Sequence, residues 1–165
     1  MLKKIFILLS FFPFQLLLAQ SSQLTDFPEG YTPEEVGKRL AYRFVDGEHA
    51  LHARKWISYP ETFNWNGALQ LAKITKDKKL FKLLENKFQP LFTTEKELLP
   101  IMNHVDLNMF GSLPLKLYQI TKKKKYLELG LPYADTQWQV PENAKPAEKE
   151  WADKGYSWQT RLWID

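Results

Sequence analysis

LQLAKITKDKKLFKLL (residues 69–84) and LKLYQITKKKKYLELG (residues 115–130) align at an offset of 46 residues. Leu69 falls on Leu115, Leu71 on Leu117, Ile74 on Ile120, Thr75 on Thr121 and Lys76 on Lys122, while Leu80 and Phe81 fall on Tyr126 and Leu127. Each copy reads as an apolar helix, a Thr-Lys turn and a second, amphipathic helix. In the first copy Leu80, Leu84, Phe88 and Leu91 recur at helical spacing; in the second the stripe is Tyr126, Leu129, Tyr133 and Trp138. A period in the forties is the mark of helix pairs that bury their apolar faces on one another. No run of alternating residues is long enough to make a sheet. The expected fold class is all-α.

Upstream, Thr32, Pro33 and Glu35 form a capping box with proline at the first helical position. The stripe Val36, Leu40, Phe44 and Val45 continues that helix, and Gly47 is its expected stop. Residues 20–31 read as a flexible leader. Before them, Lys3 and Lys4 precede an apolar run from Ile5 to Leu18, and Ala19 offers a small residue for cleavage. Residues 1–19 are therefore expected to be a signal peptide, which places the mature chain in the periplasm or outside the cell. Residues 32–165 form the expected domain.

The composition excludes several chemistries. The chain has 165 residues and no cysteine, so disulfides, thiolate metal sites, a catalytic thiol and a lipidated N-terminal cysteine are all ruled out. The net charge of +4 is reduced when Lys3 and Lys4 leave with the signal, and no nucleic-acid motif accompanies the remaining lysines. Those lysines gather in the two turns, at Lys76, Lys78 and Lys79 and at Lys122 to Lys125. They read as solvated ends near helix C-termini, with polyphosphate binding as the alternative. His49 and His52 have no third ligand at a metal-binding spacing, so no metal and no cofactor are expected. Trp56, Tyr59, Phe63 and Trp65, with Trp138, Trp151, Tyr156, Trp158 and Trp163 near Asp153 and Asp165, supply the aromatic faces and carboxylates that sugar recognition uses.

Asn64-Trp65-Asn66-Gly67-Ala68-Leu69, His104-Val105-Asp106 before Gly111, the segment from Leu115 through Tyr118 to Thr121, and Trp163-Ile164-Asp165 resemble glycoside hydrolase family 105. These are unsaturated rhamnogalacturonyl hydrolases, related to the family 88 unsaturated glucuronyl hydrolases. The resemblance runs from about Thr32 to Asp165. It implies the N-terminal portion of an (α/α)6 barrel built from helix-pair repeats. It implies removal of a 4,5-unsaturated uronic acid from pectin-derived oligosaccharides by hydration of the ring double bond, with Asp165 as general acid/base and Asp106 assisting. Trp65, Trp163, His104 and Arg161 would line the sugar site. The chain departs from the family pattern in having no histidine between Asp106 and Asp165, and in carrying Arg161 where glutamine is common.

Six such pairs would need on the order of 280 residues, so the expectation is a truncated barrel that is inactive alone. The partner is then an unsaturated oligosaccharide, with no nucleic acid and no stable membrane anchor after cleavage; oligomeric state is not read from the sequence. The alternative is a non-catalytic helical-repeat or sugar-binding protein. Expressed in a secreting bacterial host, the chain should lose residues 1–19, which intact-mass measurement of the exported protein would reveal; retention of Met1 by cytoplasmic protein would refute this.

Overall fold

The structure is a computed structural model that describes residues 25–159; the expected signal peptide and the start of the leader lie outside them. The described residues are mostly helical, as expected. α1 (Pro33–Asp46) begins where the capping box placed it: the Thr32 side chain accepts from the Glu35 backbone N–H, and the Glu35 carboxylate accepts from the Thr32 N–H at 3.0 Å. Gly47 ends it. Residues 28–31 form a turn whose Gly30 carbonyl accepts from Arg39 of α1, and the Arg39 guanidinium lies 5.5 Å from the Tyr31 ring centre.

Two further departures follow α1. A two-residue antiparallel ladder pairs β1 (Leu51–His52) with β2 (Trp56–Ile57). Ala53 and Arg54 turn it in the left-handed region, which a search for period-two runs cannot detect. Next, α2 spans Tyr59–Ile74, so Trp65 lies inside this helix and not before it. Tyr59 at its start is followed by Pro60, which suits a first turn.

α2 and α3 (Lys78–Phe88) form one helical hairpin. α4 (Val105–Asn108) leads through a 3-10 turn into α5 (Ser112–Thr121), which forms a second hairpin with α6 (Lys124–Thr136). The two turns match in detail. Thr75 Oγ1 donates to the Leu71 carbonyl at 2.9 Å and Thr121 Oγ1 to the Leu117 carbonyl at 2.8 Å. Lys76 and Lys122 then adopt φ of 55° and 60°. α2 and α5 lie side by side, joined by the Asn66 side-chain amide donating to Ser112 Oγ at 3.0 Å, again 46 positions apart. A final helix, α7 (Pro146–Asp153), was not expected; Pro146 opens it and the Glu148 carboxylate accepts from the Lys145 N–H.

The core fills the space between the hairpins. Leu80, Leu84, Phe88 and Leu91 are fully buried, so the first stripe is the core face of α3 and of the 3-10 turn that follows it. Tyr126 and Tyr133 are buried likewise, but Trp138 lies beyond α6 and is 64% exposed. Leu40 is also 64% exposed, because α1 turns the Ala41 side inward and leaves Leu40 on the rim of an open groove against α2. Where α5 and α6 approach, no side chain fits: a Cβ on Gly111 would stand 2.3 Å from Tyr133 Cβ, and one on Gly130 would stand 2.7 Å from Leu115 Cγ.

One buried charge ties the hairpins together. Glu85 on α3 accepts from Tyr126 Oη at 2.9 Å and is paired with Lys123. Burial opposes ionisation of Glu85, but the bonds from Lys123 and Tyr126 outweigh it and hold the carboxyl below its usual range. A depressed carboxyl adds stability that is complete above the unfolded value and is lost as pH falls through the folded one. Wild type should therefore lose its stability advantage over Glu85→Gln as pH drops below about 4, measured by urea titrations at neutral and acid pH; an advantage unchanged by acid would contradict the pairing. Gly111→Ala should cost about 1–3 kcal/mol or more from overpacking, read as a lower urea midpoint at constant slope, whereas Gly67→Ala, with open space around it, should cost nothing.

Candidate functional site

The segment that leads into α5 builds a small cleft. His104 is the N-cap of α4, its Nδ1 accepting from the Asp106 N–H at 3.2 Å. That bond fixes the ring's tautomer, with the proton on Nε2 when the ring is neutral. One turn on, the Asn108 side-chain amide donates to the Tyr133 carbonyl at 2.7 Å, fastening α4 to α6. The C-terminal stretch returns to the same place. Trp158 Nε1 donates to the Thr136 carbonyl at 2.7 Å, and Gln159 Nε2 donates to the Met102 carbonyl at 2.9 Å.

Between these elements lies a cleft of about 310 Å³, lined among others by Val105, Asn108, Ser112, Tyr133, Gln137 and Gln159. Asn108 Oδ1 and Gln159 Oε1 are buried with no hydrogen-bond partner. Gln159 has no exposed surface at all. An acceptor left in this state costs about 1–3 kcal/mol, so two of them buried under one cleft favour a turn of the Asn108 or Gln159 amide that would bring its oxygen to a ligand's O–H or N–H donors. The Tyr133 hydroxyl donates to the Pro100 carbonyl at 2.7 Å, and burial pushes its pKa up. It stays protonated at any working pH.

The expected site residues fare differently. His104 and Asp106 are brought together, both half-buried on the same turn. Asp106 stands on the helix that carries Asn108 and does not itself line the cleft. Trp65 is corrected: it has no exposed surface and so cannot stack on a sugar ring. It packs edge-on against Phe44 and Phe88, each at 5.5 Å, and its Nε1 donates to the Leu84 carbonyl at 3.3 Å. Arg161, Trp163 and Asp165 lie outside the described residues.

Sequence reasoning missed Asn108 and Gln159. Asn108 lay two positions after a residue already singled out, and only its position one helical turn into α4 gives it meaning. Gln159 meets Met102 across 57 positions, which no local pattern signals. His49, for which the sequence offered no third metal ligand, stacks on Trp65 at 5.6 Å. Its Nδ1 lies 2.7 Å from Glu61 Oε1, and its Nε2 lies 3.3 Å from Glu95 Oε2 without hydrogen-bond alignment. Glu61 is 2% exposed and also accepts from the Ala50 N–H, so the cluster pins the β-hairpin segment to α2. Among the described residues no group of three or more His, Asp or Glu is arranged to hold a metal ion.

Comparison of this chain with protein-family models, curated proteins and solved structures gives no match.

Proposed function

We propose that this chain is the N-terminal part of an exported (α/α)6-barrel hydrolase that removes 4,5-unsaturated uronic acid from pectin-derived oligosaccharides. The observation that carries the reading is the cleft beside α4. It holds two unpartnered acceptor oxygens, on Asn108 and Gln159, next to the helix that bears Asp106. A hydroxyl-rich ligand supplies the donors those oxygens lack once the Asn108 and Gln159 amides turn toward the cleft. Gln159 stands six positions before Asp165, and six extended residues reach at most about 20 Å. Asp165 is therefore within chain reach of Gln159. The matched turns of the two hairpins support successive pairs of one barrel.

In this reading the Asp165 carboxyl protonates C4 of the ring double bond, and the carboxylate so formed takes a proton from the water that adds at C5. The hemiketal then opens and releases the rest of the sugar. Asp106 assists by keeping a second negative charge near the first, which raises the proton affinity of Asp165. Trp163 and Arg161 would contact the uronate, Arg161 through its charge; His104 serves by shaping the α4 turn.

A second reading has one observation in its favour. The residues lining the cleft include amides and hydroxyls but no carboxylate, histidine or cation, which suits sugar binding without catalysis. Turnover of an unsaturated rhamnogalacturonan disaccharide, followed as loss of the double bond's ultraviolet absorbance, separates the two. In the protein that carries these 165 residues together with the helices completing the barrel, Asp165→Asn should lower kcat by about 100- to 10,000-fold, while calorimetry shows the disaccharide still bound. Full turnover by Asp165→Asn, or by these 165 residues alone, would overturn the proposal, and binding without any absorbance loss would favour the second reading.

A further inference from the structure

The end of the molecule formed by the two hairpin turns combines charge with exposed aliphatic surface. Residues 73–79 carry Lys73, Lys76, Lys78 and Lys79 against one aspartate, and residues 122–125 are all lysine. Asp77 does not offset the cations freely, because it caps α3 through the Leu80 N–H and accepts from Tyr42 Oη. Lys123 is taken up by Glu85 and Lys125 by Gln89. Among the described residues Lys73, Lys76, Lys78 and Lys124 have no partner and are exposed.

Helix stability does not account for these lysines. Lys73 sits in the last turn of α2, where the dipole favours a cation, but Lys78 and Lys79 open α3 while Lys124 and Lys125 open α6. Neither first turn contains an acid. Cations there face the positive end of the dipole. Lys76 and Lys122 sit in the left-handed region, where glycine would be less strained. The fold carries this charge at a local cost.

The same end exposes two aliphatic side chains, Ile74 at 68% and Ile120 at 37%. They come from equivalent positions of the neighbouring helices α2 and α5. Lys73, Lys76 and Lys78 share a shallow depression of about 210 Å³ with Ala72, Phe81, Ile120 and Asp77, whose carboxylate is already engaged by the Leu80 N–H and Tyr42 Oη. A soluble polyanion would use the lysines alone. An anionic lipid surface uses both features: headgroup phosphates meet the ammonium groups, and aliphatic side chains enter the acyl boundary.

We propose that the turn end docks reversibly on anionic membrane surfaces, with Ile74 and Ile120 entering the interface and the free turn lysines facing the headgroups. No described helix is long and apolar enough to cross a membrane, so the contact is peripheral. The α4 cleft lies at the start of α5 and the lysine turn at its end, so docking would leave the cleft facing away from the lipid. This inference does not depend on the hydrolase reading.

The chain has no cysteine, so single-cysteine variants of the full chain carry one environment-sensitive fluorophore each. Labels at Ile74→Cys and Ile120→Cys should shift to the blue with phosphatidylcholine vesicles containing phosphatidylglycerol, and not with pure phosphatidylcholine. A label at the exposed Thr94→Cys, beyond the far end of α3, should not shift. Lys78→Gln with Lys124→Gln should weaken partition roughly 25-fold, about fivefold per lysine. That variant relieves two unfavourable dipole contacts, so an unchanged or raised melting temperature shows that lost binding is not lost folding. Vesicle binding with no blue shift at either isoleucine, as the apolar residues 5–18 alone would give, overturns the proposal. So does equal binding by the lysine variant, or binding to inorganic polyphosphate in place of vesicles.

Discussion

Phe88 occupies the point on which the two hairpins close. Its ring meets Trp65 of α2 at 5.5 Å and Tyr126 of α6 at 5.6 Å, both edge-on, and lies nearly parallel to Phe110 at 6.1 Å. One side chain on α3 thereby joins the first hairpin, the second hairpin and the turn that opens α5. Each such aromatic pair adds roughly 0.5–1.5 kcal/mol beyond area burial, and the contacts run on through Phe110 to Tyr133 at 5.3 Å. Tyr133 in turn lines the α4 cleft. The cleft therefore inherits its shape from a chain of rings that starts at the centre of the core.

Around that centre the polar groups are few and occupied. Glu85 could not stay ionised at 4% exposure without Lys123 and Tyr126, and those partners come from the other hairpin. The pair sets the register of α3 against α6 while the rings set their separation. Gly111 and Gly130 serve the same end by absence of bulk, since α5 and α6 meet where a single methyl group would collide. Aromatic packing, one satisfied charge and one bare crossing together decide how the hairpins sit.

The molecule divides its chemistry between its ends. At the start of α5 are the capping histidine His104, Asp106 and the unpartnered oxygens of Asn108 and Gln159. At the ends of α2 and α5 are the lysine turns and the exposed isoleucines. Neither end is the more stable for the residues it carries. Buried acceptors without donors and cations at helix N-termini both work against folding, and such conflicts with local stability are where function is to be sought.

The sequence by itself determined the start of α1, the buried stripe of α3 and the two Thr-Lys turns. Capping at Thr32 and Glu35 is local chemistry, and the stripe Leu80, Leu84, Phe88, Leu91 needs only a period of 3.6 residues to declare its buried face. The matched turns at Thr75-Lys76 and Thr121-Lys122 were legible because each depends on its own neighbours within four residues. Exposure of Leu40 and Trp138 was not legible, since that depends on which elements approach, and hydrophobic side chains look alike before they do. Trp65 shows the limit most clearly: a tryptophan in a sugar-binding pattern and one at the centre of a core read the same. Burial among Phe44, Phe88 and His49, contributed by three other parts of the chain, makes it the latter. The cleft, the Glu85 pair and the Gly111–Gly130 crossing belong to the tertiary structure alone, because each joins residues 19 or more positions apart whose contact no local propensity encodes.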